Sequence, residues 1–450
     1  MQLEKGFTDN WLQPSGAQEN LMRQYAGCKR FVWNRALSIE QARYRRGEKK
    51  LLGKYEMMKQ LTMWRNNPDP HSNFLREAPV HALQCVLYEL YESYQRFFRG
   101  EQVHPPQFKN KSKANISFTE SDPATFEIEE ARKRVRLPKL GWVKCRFPQH
   151  IEGQPNSVTV QWNGERWVLS VQSKVEIADQ THPSDTIVAG DFGVLRRVTF
   201  SDGVVVPPIN VSWEEKRKSF YQRRLKNKRK FSENWKKVVD KISKLDRRIA
   251  NIRKDETHKF TSGYVKNHAV IVLGDLHIKS MSASAAGTAE QPGTKVKQKS
   301  RLNRAILRQG WGELGRQLEY KQIWAGGLVE YQSEAYSSQQ CPACEYTSPL
   351  NRKRQEAFAC VAPTCGFRAN ADEVAAQNQL KRFLSSNKGL ALLASGYRAS
   401  VNSLPSGRSW DSTMKQEPIE DGGTMCPTSV GNLPRSRGGG CQSEDVWRRR

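Results

Sequence analysis

Four cysteines fall in two close pairs within CPACEYTSPLNRKRQEAFACVAPTCGF: Cys341 with Cys344, then Cys360 with Cys365. The short gap inside each pair lets both sulfurs turn toward one point, and a hairpin-length interval brings the pairs together. Four thiolates meeting tetrahedrally suit zinc, which has no redox chemistry and little geometric preference. A redox CxxC needs no second pair. With all four positions taken by sulfur no coordination site stays open, so this zinc is expected to be structural, in a ribbon at 338–368.

A second set of residues is acidic. Asp191 ends the apolar run IVAGD, Asp275 ends VIVLGD, and Asp372 lies in RANADEVAAQNQL, where a helix is expected directly after the ribbon. Singly, each fits ordinary turn chemistry, and Asp372 fits a helix N-cap. Together they follow the order of an RNase H-like core, with one acid on an early strand, one ending a later strand and one on a late helix. Such a core holds two divalent ions about 4 Å apart for phosphodiester cleavage. Carboxylate oxygens suit Mg²⁺ or Mn²⁺.

The elements that would carry these residues are legible in outline. HALQCVLYELYESYQRFF sets Leu83, Leu87, Leu90, Tyr94 and Phe97 on one helical stripe, and the whole of about 20–100 has helical periodicity. NSVTVQWNGERWVLSV alternates on both sides of Asn163-Gly164, a hairpin signal, and several such short strands suggest a small barrel. Between 213 and 268, Val238, Ile242, Leu245, Ile249 and Ile252 recur every three or four residues among dense Lys and Arg, as in a helical hairpin with one apolar seam. A later helix is expected to turn Leu302, Ile306, Leu307, Leu314 and Leu318 inward. Beyond 386 Gly, Ser, Pro and isolated charges dominate, and apart from LALLASGY the tail to 450 is expected to be mostly disordered.

Composition narrows the partners. The 450 residues include 73 Lys and Arg against 46 Asp and Glu, a formal charge of +27. Such an excess self-repels unless a polyanion neutralises it, so nucleic acid is the expected partner. Within HPPQFKNKSK, Phe108 among lysines is either a solvated loop or a strip that tracks a backbone and stacks a base. No stretch is apolar enough for a membrane span, and MQLEKGFTDNWLQPSG lacks the apolar segment of a secretory signal. Nine cysteines, four clustered and five scattered, fit a reducing compartment.

RQYAGCKRFVWNRAL, PPQFKNKSK, VAGDFGVLRRVTFSDG, GDLHIKSM and the ribbon block through NADEVAAQNQL together resemble the TnpB (OrfB) proteins of bacterial insertion sequences, relatives of compact type V CRISPR effectors. The resemblance runs in one order from about 24 to 383. It implies an α/β multidomain protein, often called a transposase. A barrel domain (1–180, helical recognition lobe at about 20–100) precedes a RuvC-like nuclease core (181–337). The zinc ribbon interrupts that core before its last helix (369–385). It further implies a guide RNA from the transposon end, a double-stranded DNA target, and a bacterial, cytoplasmic, nucleoid-associated setting. Asp191 and Asp372 would hold Mg²⁺. Oligomeric state, guide sequence and cut positions are left open.

Three places depart from the family pattern. The opening KGFTDNWLQPSGAQENL matches loosely, so the first barrel strand is expected to be degraded. Glu345 stands where the family has glycine after the first cysteine pair, at a cost in local strain. The family's second acidic ligand falls on Gly274, with Asp275 as its neighbour. On a regular strand Asp275 then faces away from Asp191, unless a bulge at the glycine rotates it back. Two readings stay open: an endonuclease using Asp191, Asp372 and a recruited Asp275, or a guide-directed binder that does not cut. An RNA-free zinc-ribbon accessory protein is a third.

Overall fold

The computed structural model describes residues 2–401, apart from 49, 68–69, 103, 112–114, 178–179, 289 and 355. Strand β1 (Gln2–Gln13) passes into α1 (Gly16–Arg45) through a capping box in which Ser15 and Gln18 satisfy each other's backbone donors. Helices α2 (Lys54–Asn66), α3 (Pro70–Asn73) and α4 (Val80–Phe98) follow. In α4 the stripe Leu83, Leu87, Leu90 and Tyr94 is buried.

Strands β2 (Ser117–Glu120), β3 (Glu127–Glu129), β4 (Arg134–Leu137), β5 (Gly141–Arg146), β6 (Gln154–Trp162) and β7 (Trp167–Glu176) join β1 in a sheet ordered β2-β6-β7-β1-β5-β4-β3. The hairpin at Asn163-Gly164 forms: Trp162 pairs with Trp167, Gly164 takes φ +90°, and Asn163 Oδ1 accepts from the amides of Glu165 and Arg166.

Two expectations are corrected here. Far from degraded, β1 is a central strand paired with both β5 and β7, bulged between Phe7 and Asn10. It departs from the family motif but still buries Phe7, Asn10 and Leu12, and burial is what a strand needs. The expected barrel is an open path by hydrogen bonding, since no ladder among the described residues joins its edge strands β2 and β3. Residues of α1, α2 and α4 share one hydrophobic core with these strands, so helices and sheet pack as a unit.

The second sheet begins with β8 (Thr186–Phe192), β9 (Val198–Phe200) and β10 (Val205–Val206). The basic region folds as α5 (Ser212–Lys226) and α6 (Glu233–Asn267), with Ile249 of the expected seam buried. Then come β11 (Val270–Gly274), α7 (Ile278–Met281), α8 (Val296–Gln309), α9 (Trp311–Ala325) and β12 (Leu328–Gln332). Gly310 adopts a left-handed conformation (φ +64°) that divides α8 from α9. Consequently Leu302 and Leu307, expected inward on one helix, are exposed, while Ile306, Leu314 and Leu318 are buried.

After β12 a two-stranded hairpin, β13 (Ala357–Ala359) and β14 (Arg368–Asn370), leads directly into α10 (Ala371–Leu384). The tail starts with α11 (Asn387–Ala394), which carries most of the excepted LALLASGY, and with β15 (Arg398–Ala399), which pairs with Thr186 and Ile187 of β8. Leu392 and Tyr397 pack on the core there, enough apolar contact to order the segment. Residues from 402 onward lie outside the described residues.

The second sheet runs β10-β9-β8-β11-β12, antiparallel from β10 to β8 and parallel from β8 through β12. Parallel strands need both faces covered, which explains the unbroken apolar runs in β8 and β11. One face places Val188, Ile271 and Leu273 against Tyr264, Leu314 and Leu318. The other places Ile187, Ala189, Val270 and Val272 against Leu380 and Phe383 of α10.

Candidate active site and metal centre

Asp191 is the next-to-last residue of β8 and, by strand alternation, lies on the α10 face with Ile187 and Ala189. Its Oδ1 accepts from Gln379 Nε2 at 3.1 Å, and Gln379 is fully buried. Asp372 is in the first turn of α10. The cap itself is Asn370, whose Oδ1 accepts the Asp372 amide at 3.0 Å. The capping role expected of Asp372 is thus taken by Asn370, and the Asp372 carboxylate meets Arg352 instead, Nη2 to Oδ1 3.4 Å. Burial drives the Asp191 pKa well above the usual carboxylate range; the charges of Glu334 and Asp372 push the same way, while Arg352 and the Gln379 amide oppose them. Asp372 is likewise raised by burial, against the pull of Arg352 and Arg196. The charge of Asp372, far away in sequence, therefore reaches Asp191.

Gly274 is also on the α10 face. Val270 pairs with Ile187 and Val272 with Ala189, so the next same-face step sets Gly274 beside Asp191. The β11–β12 ladder is regular through Gly274 and the β11–β8 ladder through Leu273, without the bulge that would have swung Asp275 inward. Asp275 is exposed, and its charge is felt by Tyr331 and Glu334 while burial, Glu334 and Asp372 act on Asp191. The structure does not bring Asp275 to Asp191.

A different acid arrives. Gln332 pairs with Gly274 across the β11–β12 ladder, and Glu334 follows two residues later. A Cβ added to Gly274 would stand 1.6 Å from Glu334 Oε1, 2.1 Å from Cδ and 2.3 Å from Cγ. The Glu334 carboxylate occupies the volume that a side chain at 274 would fill. Its Oε1 is buried without a hydrogen-bond partner, as is Oε1 of Gln379. Burial pushes the Glu334 pKa up to about 7, with the Gln379 amide opposing and Asp275 reinforcing the shift. Sequence reasoning missed this residue; its signal was the two-residue alternation of β12 continued through Gln332 to Glu334.

Asp191 thus lies within electrostatic reach of Glu334 and Asp372, with Arg352, Arg196 and the Gln379 amide as counterweights, and the buried Oε1 atoms of Glu334 and Gln379 are left unmatched. An oxygen-rich, electron-rich pocket of this kind suits a hard divalent cation.

The four cysteine sulfurs lie within 4.8 Å of one another, close enough for one metal ion to bind them all. Backbone N–H donation from Tyr346 brings the Cys344 thiol down to about 7, toward the thiolate form a metal requires, whereas burial pushes Cys341 to about 12. Glu345 takes φ +61°, the strained left-handed conformation that explains why glycine would suit that position.

Away from the acids, a cleft of about 1230 Å³ opens between the β6–β7 turn and α6, lined by Trp11, Asn163, Arg166, Lys244, Arg247 and Lys254 among others. Arg166 stacks 4.2 Å from the Trp11 ring centre, and Arg247 donates to the Asn163 carbonyl at 2.7 Å. In the Phe108 strip, Trp33 donates to the Gln107 carbonyl and carries the Lys109 ammonium 3.5 Å over its ring, leaving Phe108 exposed. Cationic groups beside aromatic faces are the equipment for following a phosphate backbone. No helix among the described residues is long and apolar enough to cross a membrane.

A family model described as "Probable transposase" matches residues 169–285, and one described as "Cas12f1-like, TNB domain" matches 311–379. Over 412 residues the chain is 41% identical to "Putative RNA-guided DNA endonuclease InsQ" of Escherichia coli, spanning 91% of this chain and 96% of that protein. The chain belongs to the TnpB (OrfB) family. A second relative, a "Putative RNA-guided DNA endonuclease" of Streptomyces pristinaespiralis, is 27% identical over 90% of this chain and 94% of its own length. A cryo-EM structure of CasPhi-2 (Cas12j) bound to crRNA overlaps 84% of this chain and 98% of that chain at a TM-score of 0.37 and 10% identity. In this TnpB chain the segment matched by a "Helix-turn-helix domain" model, 12–49, contains the single continuous helix α1. The 311–379 match contains the cysteine quartet together with Glu334 and Asp372.

Proposed function

We propose that this chain is a transposon-encoded, RNA-guided DNA endonuclease whose RNase H-like (RuvC) core spans 181–337 and the helix at 369–385, with a zinc ribbon at 338–368 between them. The observation that supports this reading is the placement of Asp191 at the carboxyl end of β8, hydrogen-bonded to Gln379 of α10, with Asp372 in the first turn of that same helix. The sheet order, three antiparallel strands followed by two parallel ones, supports the same core. Carboxyl ends of parallel strands are where α/β sheets collect their ligands.

Asp191 and Asp372 would hold Mg²⁺ or Mn²⁺, which when bound activates water and stabilises the leaving oxygen of a phosphodiester. The protein's own part is positional. Gln379 orients Asp191 by its amide, and Arg352 steadies Asp372. The cysteine quartet would take zinc in a closed, structural site. The basic cleft beside α6 and the Phe108 strip suit guide RNA and target DNA, in keeping with the name its Escherichia coli relative carries.

The test is cleavage of supercoiled target DNA by the chain loaded with RNA from the transposon end, in Mg²⁺. Asp191→Asn is expected to cut about a thousandfold more slowly or worse while target binding persists. Gly274 motivates the second reading, a guided binder without nuclease activity, and target binding by the unmodified chain with no nick would establish it. Target binding that survives RNase treatment of the purified protein would favour the RNA-free accessory.

A further inference from the structure

We propose that Glu334 is the second acidic ligand of the divalent-cation site, delivered from the neighbouring strand into the place that Gly274 leaves vacant. This rests on the endonuclease reading and deepens it. In that reading the site needs a third carboxylate between Asp191 and the end of β11, and the residue mounted there has no side chain.

Geometry carries the inference. Gly274 and Asp191 each come one residue beyond the last pair of the β11–β8 ladder, Leu273 with Gly190, on the face shared by Val270, Val272, Ile187 and Ala189. The nearest heavy atoms to a Cβ at Gly274 all belong to the Glu334 side chain, its carboxylate oxygen foremost. Glu334 can reach there because β12 runs parallel to β11 and ends opposite Gly274, so two further residues carry the chain past the strand ends. The approach is held from α10 as well: Gln332 Nε2 donates to the Gln379 carbonyl, and the Gln379 side chain donates to Asp191. Glu334 Oε1 and Gln379 Oε1 are both buried without a hydrogen-bond partner, and unmatched buried oxygens are costly unless something positive meets them. A carboxylate used only to fill space would leave no reason for its oxygen to stay unpaired beside another acid.

Gly274 takes on a different meaning. Any side chain there collides with Glu334, so the glycine makes room for a relocated ligand, and Gly274→Ala should itself disturb the site.

Two readouts on the full chain with one guide RNA test this: Mn²⁺ binding followed by the EPR signal of free Mn²⁺, with Asp191→Asn as the blank, and plasmid cleavage in Mg²⁺. Glu334→Gln keeps the shape and removes the charge. It is expected to weaken the Asp191-dependent Mn²⁺ site about tenfold or more and to slow cutting about a hundredfold. The double variant Glu334→Ala with Gly274→Glu mounts the acid back on β11. It is expected to recover both properties relative to Glu334→Ala alone. If Glu334→Gln binds Mn²⁺ and cuts like the unmodified chain while Asp191→Asn does neither, the inference falls and the endonuclease reading stands. No recovery in a double variant that melts at the unmodified temperature would also overturn it. If the unmodified chain binds its target and never nicks it, the endonuclease reading falls and takes this inference with it.

Discussion

Arg352, which closes the short turn Pro349–Asn351 in the cysteine-rich segment, sets its guanidinium 3.4 Å from the Asp372 carboxylate at the head of α10. The same charge favours ionised Asp191. The cysteine-rich segment therefore reaches the acids, and a cation held by Asp191, Glu334 and Asp372 would meet a positive neighbour.

That neighbour should weaken cation binding. Arg352→Ala is expected to tighten Mn²⁺ binding by about threefold to tenfold, because a like charge near the site is lost. Isothermal titration against the unmodified chain checks the sign. Weaker binding would mean that Arg352 chiefly holds Asp372 in place.

Metal in the cysteine quartet should be felt at the acids. Asn351 is buried and spans the segment, donating to the carbonyls of Gln339 and Tyr346 and accepting from the Val361 amide. The Ala371 amide that opens α10 donates to the Glu356 carbonyl. Chelating a metal held by the quartet is expected to lower the melting temperature by about 5 °C or more. The Asp191-dependent Mn²⁺ signal should fall with it, followed in parallel with zinc content.

Glu345 is predicted to be a correctable strain. A non-glycine residue at φ +61° costs about 1 kcal/mol, whereas its exposed ion pair with Lys381 contributes little. Glu345→Gly should raise resistance to chelator-induced unfolding by about that amount, without changing zinc stoichiometry.

Stability should also depend on pH through Glu120, the last residue of β2, which is fully buried. Burial lifts its pKa from 4.5 to about 7, with Asp122 adding repulsion and weak hydrogen bonding opposing. The folded state thus holds this proton more tightly than the unfolded chain. The contribution is complete below about pH 4.5 and is lost as pH rises through about 7. Glu120→Gln should flatten the fall in melting temperature between pH 5 and 8 measured for the unmodified chain.

Features written within a few residues were legible in advance. The cysteine quartet, the Asn163-Gly164 hairpin, the apolar runs of β8 and β11 and the stripe of α4 follow from local spacing and periodicity. Boundaries set by competition were harder to see: Asn370 took the cap from Asp372, Gly310 split one expected helix in two, and β1 formed despite a poor motif because Phe7 and Leu12 found a core.

From the sequence alone, Gly274 could be read only as an acid lost or as a bulge that turns Asp275 inward. Strand alternation in one dimension says which way position 274 faces and nothing about what approaches it from the next strand. Only the parallel pairing of β11 with β12 decides that Glu334 fills that space. Spacing along the chain determines which residues can act together locally; a contact between strands separated by three helices belongs to the packed fold.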